Sequence, residues 1–124
     1  MNVAVKPTTD LVKLQDRQEV AEDTLTFRFT RPEGFSFEAG QFVEITFTNP
    51  PQTDAEGNTR AFSIASAPHE GSLLVATRLR NTAFKRVLAT LPLGARVKLE
   101  GPFGNLVLHR NPARPAVFLA GGIG

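Results

Sequence analysis

Arg60, Phe62 and Ser63 place a permanent cation, a flat aromatic ring and a hydroxyl close together in one apparent strand, Arg60-Ala61-Phe62-Ser63-Ile64-Ala65-Ser66. Side chains alternate along extended backbone, so Arg60 and Phe62 share one face while Ala61 and Ser63 share the other. A ligand lying along the strand would meet charge and ring together, with the hydroxyl at its edge. That combination suits a flat, phosphorylated molecule. The same residues also read as an ordinary strand with a surface arginine and a core phenylalanine, so the rest of the chain has to decide.

A second group of anion-binding type lies downstream. Phe84, Val87, Leu88 and Leu91 recur at helical spacing, with Asn81 or Thr82 in place to cap the start and Pro92 and Gly94 to stop the helix after Leu91. The free backbone N–H groups of Thr82, Ala83, Phe84 and Lys85, at the positive end of the helix dipole, offer a second hold on the anion that Arg60 would bind. Arg60 contributes a planar fork of donors suited to phosphate, which lysine does not reproduce. Lys85 adds charge or is a plain surface lysine.

Other chemistries find little support. There are no cysteines, which excludes disulfides, thiolate metal sites and a cysteine nucleophile. His69 and His109 stand apart from each other and from any metal-type spacing, and no metal site is expected. His69, in the turn Pro68-His69-Glu70-Gly71, reads as a solvated turn residue or as a neighbour of an adenine ring. Fourteen basic residues against twelve acidic ones give a formal net charge of +2, too slight to imply nucleic acid, although Arg78, Arg80, Lys85 and Arg86 cluster locally. No apolar run approaches the roughly 20 residues of a membrane helix. The start, Met1 to Pro7, lacks a secretory signal pattern, and a cytoplasmic setting is expected.

The elements that must position these residues are mostly strands. Leu11 to Val20 and Thr24 to Thr30 come first, with Leu25, Phe27 and Phe29 alternating with polar residues; Phe42 to Thr48 follows a bend at Gly40-Gln41. Asn49 to Thr59, rich in Pro, Asp, Gly and Asn, reads as an exposed connection without chemistry. Leu73 to Leu79 precedes the helix, and Val97 to Leu99, a tight turn at Gly101-Pro102-Phe103-Gly104, and an edge at Leu106 to Leu108 follow it. Ala116-Val117-Phe118-Leu119-Ala120 is a continuous apolar run, the pattern of a strand buried on both faces of a parallel sheet. The expected fold is mainly β: a small antiparallel six-stranded Greek-key barrel with one capping helix, then the first strand of an α/β nucleotide-binding unit. The divisions are 1–10 as an extension, 11–112 as the barrel and 113–124 as the start of the second unit.

Arg60-Ala61-Phe62-Ser63 resembles the Arg-x-Tyr-Ser flavin signature of the ferredoxin-NADP reductase family, with phenylalanine in place of tyrosine. Gly40-Gln41-Phe42, Gly101-Pro102-Phe103-Gly104 and Ala120-Gly121-Gly122-Ile123-Gly124 match in the family's order. The resemblance covers the flavin domain from about Leu11 and only the first residues of the nicotinamide domain, so these residues are not expected to complete a nicotinamide site. It implies an FAD-binding oxidoreductase, with FMN as the other possibility, that takes hydride from NAD(P)H and passes electrons singly to a ferredoxin, a flavodoxin or a similar carrier. It implies that Arg60 and the helix start hold the phosphates, Phe62 stacks on the isoalloxazine without the tyrosine hydroxyl, and Ser63 stands near flavin N5. Ala76, Thr77 and Arg78 fall where the family gives backbone contacts to the pyrimidine edge. Two rival readings stand beside it: an electron-transfer subunit whose nicotinamide site lies on a partner chain, and a barrel that only binds proteins.

Overall fold

Alternation decides which face of each strand is buried. In Thr24–Thr30 the rings of Phe27 and Phe29 are buried and the residues between them are partly exposed. The computed structural model describes residues 5–121, and within them the chain forms β1 (Thr8–Ala21), β2 (Thr24–Thr30), β3 (Phe42–Thr46), β4 (Thr59–Ser63), β5 (Ser72–Arg78), α1 (Ala83–Thr90) and β6 (Arg96–Phe103). The fold is mainly β, with every strand pair antiparallel.

The strands form one six-stranded sheet in the order β4-β3-β6-β1-β2-β5. β1 serves two partners: Thr8 to Lys13 pair with β6, and Leu14 to Ala21 pair with β2, with a register shift between Leu14 and Asp16. That irregularity falls where the strand changes partner, and it lets the sheet curl. Curling brings the edge strands β4 and β5 toward each other without a continuous ladder. They are tied just beyond β4, where Ala65 N–H donates to the Leu74 carbonyl at 2.7 Å and Leu74 N–H donates to Ser66 Oγ at 3.0 Å. The result is a barrel with an open seam.

Val43, Ile45, Leu73, Val75, Leu99 and the two β2 phenylalanines fill its interior. The helix covers one end. Phe84 enters the core against Phe47, with stacked rings 4.5 Å apart, and Val87 and Leu88 are buried beside it. Thr82 is the N-cap, its Oγ1 accepting from Lys85 N–H at 3.3 Å.

Several expected boundaries move. β1 begins at Thr8 instead of Leu11, and β3 ends at Thr46 although Phe47 stays buried. Gly101-Pro102-Phe103 is not a tight turn but the end of β6, because Gly101 pairs with Thr8 and Phe103 with Phe42. Leu106 to Leu108 forms no strand, and neither does Ala116–Ala120, whose Val117, Phe118 and Leu119 are exposed. Neither run has a neighbouring strand to satisfy its backbone, and apolar character alone does not make a strand. Gly122, Ile123 and Gly124 lie outside the described residues, as do the first four.

Candidate functional site

The seam between β4 and β5 opens into a cleft of about 480 Å³, a size in the range of cofactor sites. Its walls are Arg60, Ala61, Phe62 and Ser63 of β4, Ala76, Thr77 and Arg78 of β5, and Lys85 of α1, with Gly40 and Leu106 at the remaining side. An adjoining cleft of about 310 Å³ shares Arg60, Thr77, Arg78 and Lys85 and adds Glu56, Arg80 and Thr82. Both strands present sheet edges here, which suit backbone contacts to a ligand. Of the sequence-derived candidates, Arg60–Ser63, Ala76–Arg78, Thr82 and Lys85 line these clefts, whereas Ala83 and Phe84 are buried and line neither; the absence of a β4–β5 ladder makes the room.

Positive charge dominates this place. The Arg60 guanidinium stacks 5.1 Å from the Phe84 ring centre, and its Nη1 donates to the carbonyls of Glu56, Gly57 and Thr59 at 2.9, 3.3 and 2.8 Å. Its Nη2 pairs with Glu56 Oε2 at 3.1 Å. Lys85 is half-buried, with Nζ bonded to Thr77 Oγ1 and 5.3 Å from the Phe62 ring centre. Burial, and after it the charges of Arg80 and Arg60, hold the Lys85 ammonium below the ordinary lysine value. An anion in the cleft would relieve that crowding, so the donor set fits a phosphate-bearing cofactor.

Two expectations need correction. Phe62 is only 6 % exposed, packed 5.9 Å from the Phe84 ring centre, so its face belongs to the core and little of it remains to stack on a ligand. Alternation put Arg60 and Phe62 on one side correctly, but that side is the inner one, and Arg60 escapes burial only because it stands at the barrel's rim. The helix start is also less open than expected. Ala83 N–H donates to Asp54 Oδ2 at 2.8 Å and Lys85 N–H to Thr82, which leaves Phe84 as the first-turn amide that neither the carboxylate nor the cap engages. Of the locally clustered cations, Arg78, Arg80 and Lys85 line the clefts, while Arg86 lies apart and bonds Gln52 Oε1 at 2.8 Å and Asn81 Oδ1 at 2.6 Å. His69 is exposed and lines neither cleft.

The connection between β3 and β4, read as having no chemistry, supplies the two carboxylates of this site. Glu56 stands four residues before Arg60, a spacing visible in the sequence. Asp54 meets Ala83 across 29 residues, a contact with no local signature. Its carboxyl is held below the ordinary value by the Ala83 N–H and then by the Glu56 N–H.

An antiparallel barrel whose open seam gathers cations, strand edges and a capped helix start defines the class of flavin-binding oxidoreductase domains. Residues 11–108 match the family of oxidoreductase FAD-binding domains, and the chain belongs to that family. It is 31% identical over 116 residues to terephthalate 1,2-dioxygenase reductase component 2 of Comamonas sp, covering 90% of this chain and 32% of the relative. It is 34% identical over 125 residues to ferredoxin--NADP reductase B of Sorangium cellulosum, covering 98% of this chain and 45% of the relative. The solved ferredoxin reductase in carbazole 1,9a-dioxygenase shares the fold with a TM-score of 0.77 at 22% identity, over 90% of this chain and 33% of that one. The chain thus spans between about a third and a half of the length of these proteins.

Proposed function

We propose that this chain holds FAD in the β4–β5 seam as part of an oxidoreductase that moves electrons from NAD(P)H to a one-electron carrier of iron–sulfur or flavodoxin type. The observation that carries the reading is the convergence of Arg60–Ser63, Ala76–Arg78 and Lys85 on one cleft. The name of one relative, the reductase component of terephthalate 1,2-dioxygenase, supports electron flow toward a partner. A bound flavin accepts an electron pair and releases the electrons singly. The protein's part is to bind and orient. Arg60, Arg80 and Lys85 hold phosphate, the edges of β4 and β5 grip the ring and its chain, and the exposed Ser63 hydroxyl offers a hydrogen bond at the ring's edge.

FMN is the alternative ligand of the same cleft. The division proposed is a flavin unit over 11–112 and the beginning of a nucleotide-binding unit over 113–124; the exposed Val117, Phe118 and Leu119 support the view that such a unit, or a partner chain, covers them. A cytoplasmic setting follows from the NAD(P)H it would use. The test is fluorescence titration of the purified chain with FAD, FMN and riboflavin. FAD is expected to bind, and Arg60→Ala to weaken it by about 2 kcal/mol or more, because the phosphate loses its fixed cation. Equal FAD affinity in Arg60→Ala and the parent would overturn the phosphate assignment, and absence of flavin binding would overturn the function.

A further inference from the structure

We propose that Glu56 is a built-in competitor for the phosphate at Arg60, and that Asp54 is the anchor that delivers it there. The proposal rests on the flavin-phosphate reading of the cleft and adds the residue that sets how tightly the phosphate is held.

The bonds around Arg60 divide into two sets. Nη1 is committed to three backbone carbonyls, and the guanidinium plane is braced against Phe84. The arginine is therefore held in place whatever its other nitrogen does. Nη2 carries Glu56 Oε2, and the Glu56 side chain is 63% exposed against 22% for Arg60. The fixed partner is thus the cation and the free one is the carboxylate. An arriving phosphate needs the same donor, so it must displace Glu56 or share Arg60 with a like charge.

Asp54 is rooted where Glu56 is not. Its Oδ2 accepts from Ala83 N–H at 2.8 Å, its Oδ1 from Glu56 N–H at 3.0 Å, and its carbonyl from Gly57 N–H at 3.0 Å. These bonds staple the connection to the helix start and hold the Glu56 backbone within reach of Arg60. Asp54 also fills the first amide of the helix, so phosphate is recognised chiefly by Arg60, Arg80 and Lys85. An exposed ion pair is weakly held, and Glu56 yields to phosphate while lowering its affinity.

The test uses calorimetry with inorganic pyrophosphate, which needs no ring, alongside fluorescence titration with FAD and riboflavin. The proteins are the parent chain, Glu56→Gln, and Glu33→Gln, which removes the same charge from the turn before Phe35. Glu56→Gln is expected to bind pyrophosphate and FAD about two- to tenfold more tightly, with riboflavin unchanged and Glu33→Gln like the parent. Tighter pyrophosphate with no flavin binding would sustain the competition and overturn only the flavin reading. Unchanged or weaker pyrophosphate binding in Glu56→Gln, or equal tightening in Glu33→Gln, would overturn the competition even if FAD binds.

Discussion

Phe62 shows how one residue can be placed on the correct face and still be given the wrong task. Alternation along Arg60–Ser63 fixed which side chains travel together, but a period of two is blind to which side is inside. The partners decide that: Phe84 from the helix and the Lys85 ammonium close over the ring. Phe62→Ala is therefore expected to lower the free energy of unfolding by about 3 to 5 kcal/mol in urea titration, as a core truncation does. A cost under about 1 kcal/mol would instead mark a ring standing on the surface for a ligand. Arg60 and Lys85 stood out as candidates by charge and motif spacing, which are local, and Ala76, Thr77 and Arg78 only through the family resemblance; all five line the one cleft. Asp54 did not stand out, since its partner is remote in sequence.

At the scale of elements, the helix was the most readable part of the chain. Its apolar spacing, the Thr82 cap and the stop at Pro92 all act within a few residues, and Ala83–Thr90 formed where they pointed. The apolar runs at Leu106–Leu108 and Ala116–Ala120 form no strand within the described residues, because a strand needs a partner that local pattern does not reveal. The helix also depends on Asp54, and that dependence has a pH signature. The Asp54 carboxyl is depressed in the fold, chiefly by the Ala83 N–H, so its contribution to stability is present above the ordinary aspartate value, about 3.9, and is lost as pH falls through the lower folded value. Asp54→Asn should be less stable than the parent near neutrality, and denaturant titrations should show the gap closing under acid. A gap constant with pH would show that the charge of Asp54 does nothing for the helix.

For the whole molecule, closure governs the cleft. Gly40 has φ +104°, and a Cβ there would stand 1.7 Å from the Leu106 carbonyl oxygen, so the segment after β6 lies directly on the bend before β3. Gly40→Ala is expected to cost about 1 to 3 kcal/mol in backbone strain alone. It should also speed hydrogen exchange at Val107, whose N–H donates to the Asn105 carbonyl at 2.9 Å. Unchanged stability and exchange would mean that this contact does not hold the segment. The Gly40-Gln41 bend could be read from sequence, but not the segment lying over it. The sharing of β1 between two partners adds an order of events. During synthesis β1 can pair with β2 as soon as Thr24–Thr30 emerges, and β3 with β4 in the same way, but Thr8 must wait for Gly101, 93 residues later. The ladder joining the β4 wall of the cleft to the β5 wall runs through β6, the last of these six strands to be made. On the ribosome the two walls are thus joined only by the Ala65–Leu74 and Leu74–Ser66 bonds until that strand arrives, and the ladder that frames the candidate cleft is continuous only once β6 has paired.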